Sequence, residues 1–502
     1  MTAKLAILYS RANNGIEAPL VTVEVHLSGG LPIFSIVGLP EKTVKESKDR
    51  VRSSILTNNF RFPLGRVTVN LAPANLPKEG GRFDLAIALG VLLASRQIIC
   101  PQIKDYEFVG ELALSGTLRA IDGILPLAIQ SQDSKRALIF PHGNKKEVCL
   151  LQEGERYSAS HLLEVCAFLQ NEGQLQRNSG EPVVLTNATY THLENVRGQK
   201  QAKRAIEIAA AGGHNLLLSG PPGTGKTMLA NCLPGILPLL SQSQALEVAA
   251  INSLSSDGFK PELWRQRAFR QPHHSASAAA LIGGGNPPRP GEVSLAHLGI
   301  LFLDELPEFN RHVLETLREP LESGKITISR AARQTTFPAR FQLIAAMNPC
   351  PCGYYSDPQG NCRCTQDQVQ RYRLKISGPL LDRIDLHLDV PRVSFSTAEK
   401  TSPENSETSE SVMQRITQAQ SIQQQRQQSL NAHLSGDTFN RICCIATEDE
   451  LYLSKACEKL KLSLRTYHRL IKVARTIADL NDAEIISKSH LIEALEYRRL
   501  SD

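Results

Sequence analysis

The sequence predicts an α/β protein of several domains: a parallel sheet with flanking helices at its centre, an α+β region before it and an all-helical region after it. Three observations carry this prediction. A glycine loop, Gly220-Pro221-Pro222-Gly223-Thr224-Gly225-Lys226-Thr227, joins the apolar run 215–218 to the helix-prone residues 228–230. Further apolar runs at 300–303 and 341–346 alternate with helical stretches, as buried parallel strands do. At 502 residues the chain also exceeds what a single core fills.

Composition bounds the rest. Lys and Arg number 56 against 50 acidic residues, a net charge of +6 that leans only slightly toward polyanions and suits an ordinary surface equally. No apolar run is long enough to span a bilayer; the longest, 85–94, reads as a buried element. The first residues lack a leader pattern, so a cytoplasmic protein with no membrane partner is expected.

Along the chain, residues 1–170 carry short β-like segments (21–25, 67–71) with helical stretches between them. Residues 171–181, rich in Gln, Asn, Gly and Ser, read as a linker, and 182–393 as the central sheet domain. Residues 394–435 read as a flexible linker, dense in Ser, Thr and Glu and then Gln-rich, with the Gln-rich part helical and solvent-facing. Residues 436–502 read as helical, with Leu464, Tyr467, Ile471, Ala474 and Ala478 packing inward, Ser463 as N-cap, and Arg465, Arg469 and Lys472 on another face.

The glycine loop between strand and helix makes a phosphate cradle: backbone N–H groups and the positive helix end face an anion. Lys226 can reach the β- and γ-phosphates of a nucleoside triphosphate, and the Thr227 hydroxyl can ligate Mg²⁺. The run 300–303 ends in Asp304 and Glu305, at the strand end that faces the ligand crevice. Asp304 is placed to bind Mg²⁺ through water, and Glu305 to act as general base on the attacking water. Asn348 follows the third strand and is placed to sense the γ-phosphate. Arg383 lies between Asp382 and Asp385: either a salt-bridged surface arginine or an arginine finger offered to a neighbouring subunit. Cys350, Cys352, Cys362 and Cys364 form two close pairs, suited to a four-thiolate Zn²⁺ site, with reduced thiols or a disulfide as alternatives.

In this order, the phosphate loop, Asp-Glu, Asn348 and Leu-Leu-Asp-Arg-Ile-Asp resemble an AAA+ ATPase. The segments 271–277 and 289–309 narrow the resemblance to the magnesium-chelatase-like subgroup, and in it to the ComM/YifB family, over essentially the whole chain. The resemblance implies ATP bound between subunits of a homo-hexameric ring, with residues 196–199 beside the base. It places Arg383 at the arginine-finger position and Arg465 at the second sensor of a helical lid. It also implies two insertions, one within 269–290 and a hairpin at 325–337. On that hairpin Lys325, Arg330 and Arg333 would hold nucleic-acid phosphates in the ring pore, with a merely exposed basic hairpin as the alternative. His273 and His274 read as loop residues, a poor metal site. Segments 70–80 and 109–119 resemble a Lon-protease-like (S5-like) domain. Arg82 and Leu125 stand near the positions of the expected serine and lysine, so a non-proteolytic scaffold follows. The basic run Lys42, Lys45, Lys48, Arg50 and Arg52 reads as a solvated helix face, with a DNA-contacting collar as the alternative.

The function implied is a DNA translocase or helicase for branch migration in natural transformation. It would act on single-stranded and branched DNA, beside the recombinase machinery. A metallochelatase motor and a protein-remodelling factor are the alternatives.

Overall fold

A computed structural model describes residues 4–178, 180, 190–330, 333–355, 357, 360–392, 407–460 and 462–498. The first domain is built on an eight-stranded mixed sheet. Its spatial order is Gln176–Arg177, Arg156–Ala159, Ala137–Pro141, Tyr106–Phe108, Lys4–Arg11, Leu20–Ser28, Arg66–Ala72 and Phe34–Val37. Alternation along Leu20–Ser28 buries Val21, Val23 and Val25 on one face. The apolar run 85–94 packs there as the helix Asp84–Ala94. A Cβ on Gly90 would come within 2.5 Å of Val25, so glycine sets the close helix–sheet approach.

The linker expected at 171–181 is in part sheet. Gln176 and Arg177 pair with Ser158 and Tyr157. An edge strand is held by backbone hydrogen bonds, which polar composition does not reveal. The basic run is also more than a solvated face: Arg50 Nε donates to the buried Asp84 carboxylate at 2.7 Å.

The central domain holds five parallel strands, β1 to β5 in chain order: β1 Leu216–Ser219, β2 Phe269–Arg270, β3 Ile300–Leu303, β4 Gln342–Met347 and β5 Leu386–Asp389. Their spatial order is β2-β3-β4-β1-β5. Every residue of β1, β3 and β4 is buried, which explains their continuous apolar runs. The helices that matter for the site are α1 Lys200–Gly212, α2 Lys226–Ile236, α3 Gln242–Ser253, α4 Ser409–Gln427 and α5 Leu464–Leu480.

Helix α4, expected to face solvent, does so on one side only. Val412, Ile416 and Ala419 join the core with α1 and α5. Gln420 and Gln423 are buried and donate to the Ala210 and Ala211 carbonyls (2.8 and 3.2 Å), near the end of α1. Their amides satisfy carbonyls that a helix end leaves orphaned, so these glutamines are interior by chemistry rather than apolarity. Residues 394–406 of that expected linker lie outside the described residues. In α5, Ile471, Ala474 and Ala478 are buried and Ser463 caps the helix as expected, but Leu464 in the first turn is 80 % exposed.

The first domain touches both segments where insertions are expected. Thr335 Oγ1 lies 3.3 Å from Asn14 Oδ1, and Arg289 lies 3.5 Å from Asp122. Helix α3 seals the contact, with Ala245 and Ala249 in one apolar cluster with Ile124 and Leu125. Among the described residues no helix is long and apolar enough to cross a membrane.

Candidate active site

Buried strand β1 delivers the chain to Gly220 at the carboxyl end of the sheet, and α2 starts at Lys226. Gly223 and Gly225 have φ of +78° and +84°, and a Cβ at either would have no atom within 4 Å. Backbone conformation, not crowding, therefore demands glycine there, and the open side is where an anion approaches. Lys226 Nζ donates to the Gly220 and Pro221 carbonyls (2.7 and 2.9 Å) and lies 3.2 Å from Asn348 Oδ1. Burial lowers the Lys226 pKa, and nearby Asp304 opposes that. Thr227 Oγ1 donates to Asp304 Oδ2 at 2.8 Å, which brings together the two groups expected around Mg²⁺.

Parallel register explains the convergence. Ser219 on β1 faces Met347 on β4, so Asn348 emerges beside the loop; β3 lies next to β4 and releases Asp304 and Glu305 at the same sheet end. Glu305 has φ +52°, and its N–H donates to Asp304 Oδ1 at 2.9 Å. That turn directs the two carboxylates differently. The residues present fit a Mg²⁺–nucleoside triphosphate: a lysine, a hydroxyl–carboxylate pair, a second, exposed carboxylate and an open glycine cradle.

Arg383 and Arg465 lie elsewhere. The Arg383 carbonyl accepts from Asn215 Nδ2 at 2.9 Å, at the amino end of β1. From Asn215 to Gly220 the extended chain covers roughly 16 Å, more than an arginine side chain spans. Arg383 Nη2 instead pairs with Glu322 at 2.8 Å, and Arg465 pairs with the same carboxylate. Arg469 donates to the Arg383 carbonyl at 3.0 Å and pairs with Asp385. Burial lowers the Arg383 pKa, and Arg318 and Arg469 add to this. Two arginines expected at a phosphate thus share one edge, remote from their own chain's loop.

The family described as magnesium chelatase, subunit ChlI, matches residues 192–398, and its C-terminal part matches 406–498. The family described as subunit ChlI of Mg-chelatase matches 23–144. Competence protein ComM of Haemophilus influenzae is 50% identical over 500 residues, covering 99% of this chain and 98% of that protein. The chain belongs to the ComM/YifB family of magnesium-chelatase-like proteins. Protein YifB of Escherichia coli is likewise 50% identical over 497 residues, 99% of this chain and 97% of YifB. DNA replication licensing factor Mcm2 of Drosophila melanogaster is 24% identical over 226 residues, 42% of this chain and 22% of Mcm2.

In this ComM/YifB-family chain the four clustered cysteines do meet. Their sulfurs lie within 4.8 Å of one another, with Cys350–Cys352 at 3.4 Å, Cys352–Cys362 at 3.6 Å and Cys350–Cys362 at 3.8 Å. A tetrahedron with Zn–S near 2.3 Å has edges of about 3.8 Å, so the spacing suits that ion. The Tyr354 N–H helps push Cys352 down to about 6. Cys364 accepts a Cys352 N–H, which lowers its pKa, yet desolvation and the thiols of Cys352 and Cys350 push it up to about 12. Thiolates so close repel one another, and a bound cation would relieve that repulsion. The loop also packs on the phosphate loop: a Cβ on Gly353, whose φ is +86°, would come within 2.7 Å of Pro222.

The expected hairpin is Lys325–Arg330 paired with Arg333–Pro338. Lys325 is exposed and the backbone of Arg330 pairs with that of Arg333 at the turn end, while residues 331–332 lie outside the described residues. Ile326, Ile328 and Phe337 anchor its other face in the core. Two site neighbours escaped the sequence reading. Glu322 lies in an unremarkable polar stretch. His274 Nδ1 stands 3.4 Å from Glu305 Oε2, and its sequence context (Gln-Pro-His-His-Ser) was the signal available.

Proposed function

We propose that this protein is an ATP-driven DNA translocase or helicase that works as a homo-hexameric ring. The observation that carries the reading is the shared placement of Arg383 and Arg465 on Glu322, at the opposite end of β1 from Lys226. Nucleotide chemistry then needs two protomers. One gives Lys226, Thr227, Asp304, Glu305 and Asn348; its neighbour gives the arginines. Bound Mg²⁺–ATP supplies the γ-phosphoryl group as electrophile. Lys226 neutralises phosphate charge, Glu305 takes a proton from water, and Arg383 stabilises charge that builds at the γ-position.

The proposed cargo is single-stranded and branched DNA, gripped by Lys325, Arg330 and Arg333. The proposed task is branch migration during recombination of incoming DNA in natural transformation, in the cytoplasm and beside the recombinase machinery. The name of the competence protein ComM and the likeness to a DNA replication factor support this reading. A synthetic three- or four-strand junction tests it: the purified protein should move the branch point with ATP, and Lys226→Ala should lose both that activity and DNA-stimulated turnover. Turnover raised only by chelatase subunits, or only by protein substrates, would overturn it.

We also propose that the cysteine cluster holds Zn²⁺. Cys362→Ser should lower zinc content and, through the Gly353–Pro222 contact, slow ATP turnover severalfold. Elemental analysis showing the same zinc content in variant and parent would remove the assignment.

A further inference from the structure

A cavity of about 400 Å³ lies between the first domain and the two segments where insertions are expected. One wall is built from turns of the first domain that hydrogen bonds hold in place. Arg82 stands just before the helix Asp84–Ala94, and its carbonyl accepts the Gly110 N–H at 2.9 Å. A Cβ on Gly81 would come within 2.5 Å of Glu111 Cγ, so glycine lets Glu111 lie against this turn. Asp122 stands between two anchored residues. Ile121 exchanges hydrogen bonds of 3.0 Å with the Asn144 amide, and the Gly123 N–H donates to the Ser253 carbonyl at 2.8 Å. The opposite wall comes from the central domain, through Leu254, Arg289 and, on the hairpin, Phe337.

Arg82 is the anomaly in this cavity. Its Nη1 is enclosed and has no hydrogen-bond partner among the described residues. Burial pushes the guanidinium down to about 10, and Asp122 opposes that. Asp122 is itself engaged elsewhere, with Arg289 at 3.5 Å. Hiding a guanidinium donor from water without an acceptor is costly, so an acceptor belongs at Nη1. The rest of the lining says what can carry it. Glu41, Glu79, Glu111 and Asp122 border the same space, and Arg289 is the other cation there, so carboxylates outnumber arginines. A phosphate would bring its negative charge against those acids, which disfavours nucleic acid and nucleotides at this place. A carboxylate on a molecule that also carries positive charge meets both demands: it accepts from Arg82 while its cation lies among the acids. Ile121, Leu254 and Phe337 offer apolar surface for methylene groups between the two ends.

We propose that this cavity binds a basic α-amino acid, free or as the last residue of a peptide, with its carboxylate on Arg82 and its side-chain cation toward Glu111 and the neighbouring acids. Such a ligand touches the first domain and both insertion segments at once, so its binding favours the docked arrangement of the two domains.

Isothermal titration of the full-length protein tests this, with L-arginine and L-lysine as the probes. Saturable binding of at least one of them, at a single site per chain, is expected. Agmatine and cadaverine, their decarboxylated forms, should bind roughly ten- to a hundredfold more weakly, the worth of one charge-assisted hydrogen bond. L-Norvaline, which keeps the carboxylate and lacks the cation, should also bind more weakly. Arg82→Met should bring the amino acid down to the level of its decarboxylated form, and Arg82→Lys should recover part of the loss. Glu111→Gln should weaken the basic amino acid severalfold and leave L-norvaline at its parent level. The blocked peptide acetyl-Ala-Ala-Arg separates the two sources: binding as tight as that of the free amino acid assigns a peptide end, and far weaker binding assigns the free amino acid. No saturable binding of either amino acid or of the peptide, or decarboxylated forms that bind as tightly, would overturn the proposal. So would inorganic phosphate that binds more tightly than all of them. The ranking of ligands on the parent protein decides the matter even if the Arg82 variants do not fold.

Discussion

Replacing Arg383 with alanine is expected to slow ATP turnover by roughly 10³–10⁵-fold while nucleotide affinity at the altered chain's own loop stays at the parent value. The reason is positional. Arg383 is fixed through its carbonyl to Asn215 and Arg469, at the amino ends of strands whose carboxyl ends carry the phosphate loop. It cannot serve its own chain; its side chain is only 5 % exposed, beside the more open Arg465, so another protomer can reach it only where Glu322 gives way. Glu322 balances both guanidinium groups. A triphosphate carries more negative charge than one carboxylate and accepts from both arginines, so it can displace Glu322 as their partner. Mixing makes the test specific. Lys226→Ala and Arg383→Ala chains are each expected to be inactive alone. A mixture should regain part of the activity, because an Arg383→Ala loop beside a Lys226→Ala edge forms an intact site. Full turnover in Arg383→Ala alone, or no recovery on mixing, would refute hydrolysis between protomers.

The parts of this site legible in the sequence are those that strand order alone brings together. Lys226, Thr227, Asp304 and Asn348 each sit just past a short apolar run, and a parallel sheet delivers all such positions to one end. The four cysteines were legible because loop closure over so few residues keeps their sulfurs close. What stayed hidden depends on packing between distant segments. Glu322 matters only because α5 docks beside it. Arg469, four residues from Arg465 on the same basic face, serves as a clamp on Asp385 rather than a phosphate contact. Gln420 and Gln423 are polar by type and interior by position, since the carbonyls they satisfy belong to a helix about two hundred residues earlier. Arg50 is held in the same way by Asp84, a partner on a later helix.

Asp385→Ala is expected to destabilise the protein by about 3–5 kcal/mol, the usual cost of removing one partner of a buried ion pair. Asp385 is 4 % exposed. Its carboxylate pairs with Arg469, lies 3.7 Å from His214 Nδ1 and accepts the Asn215 N–H at 2.9 Å. Burial alone would raise its pKa, but Arg469, His214 and the backbone donor outweigh it and hold the carboxyl well below the ordinary range. The sign of the pH dependence follows. A group whose folded pKa is depressed contributes stability that is fully present above its unfolded value, about 3.9 for aspartate, and is lost only as pH falls through the lower folded value. The gap in unfolding free energy between parent and variant should therefore be nearly constant from pH 7 to about pH 5 and shrink only in stronger acid. Denaturant unfolding of both proteins at several pH values measures it. Equal midpoints at pH 7, or a gap already closing near neutrality, would show that Asp385 does not carry the pair. The variant also bears on the motor. With the carboxylate gone, Arg469 keeps its charge in a half-buried place and loses the anion that fixes it, so its grip on the Arg383 carbonyl weakens. Turnover should then fall through the neighbour's site while the altered chain still binds nucleotide, a loss of kcat on top of the loss of stability.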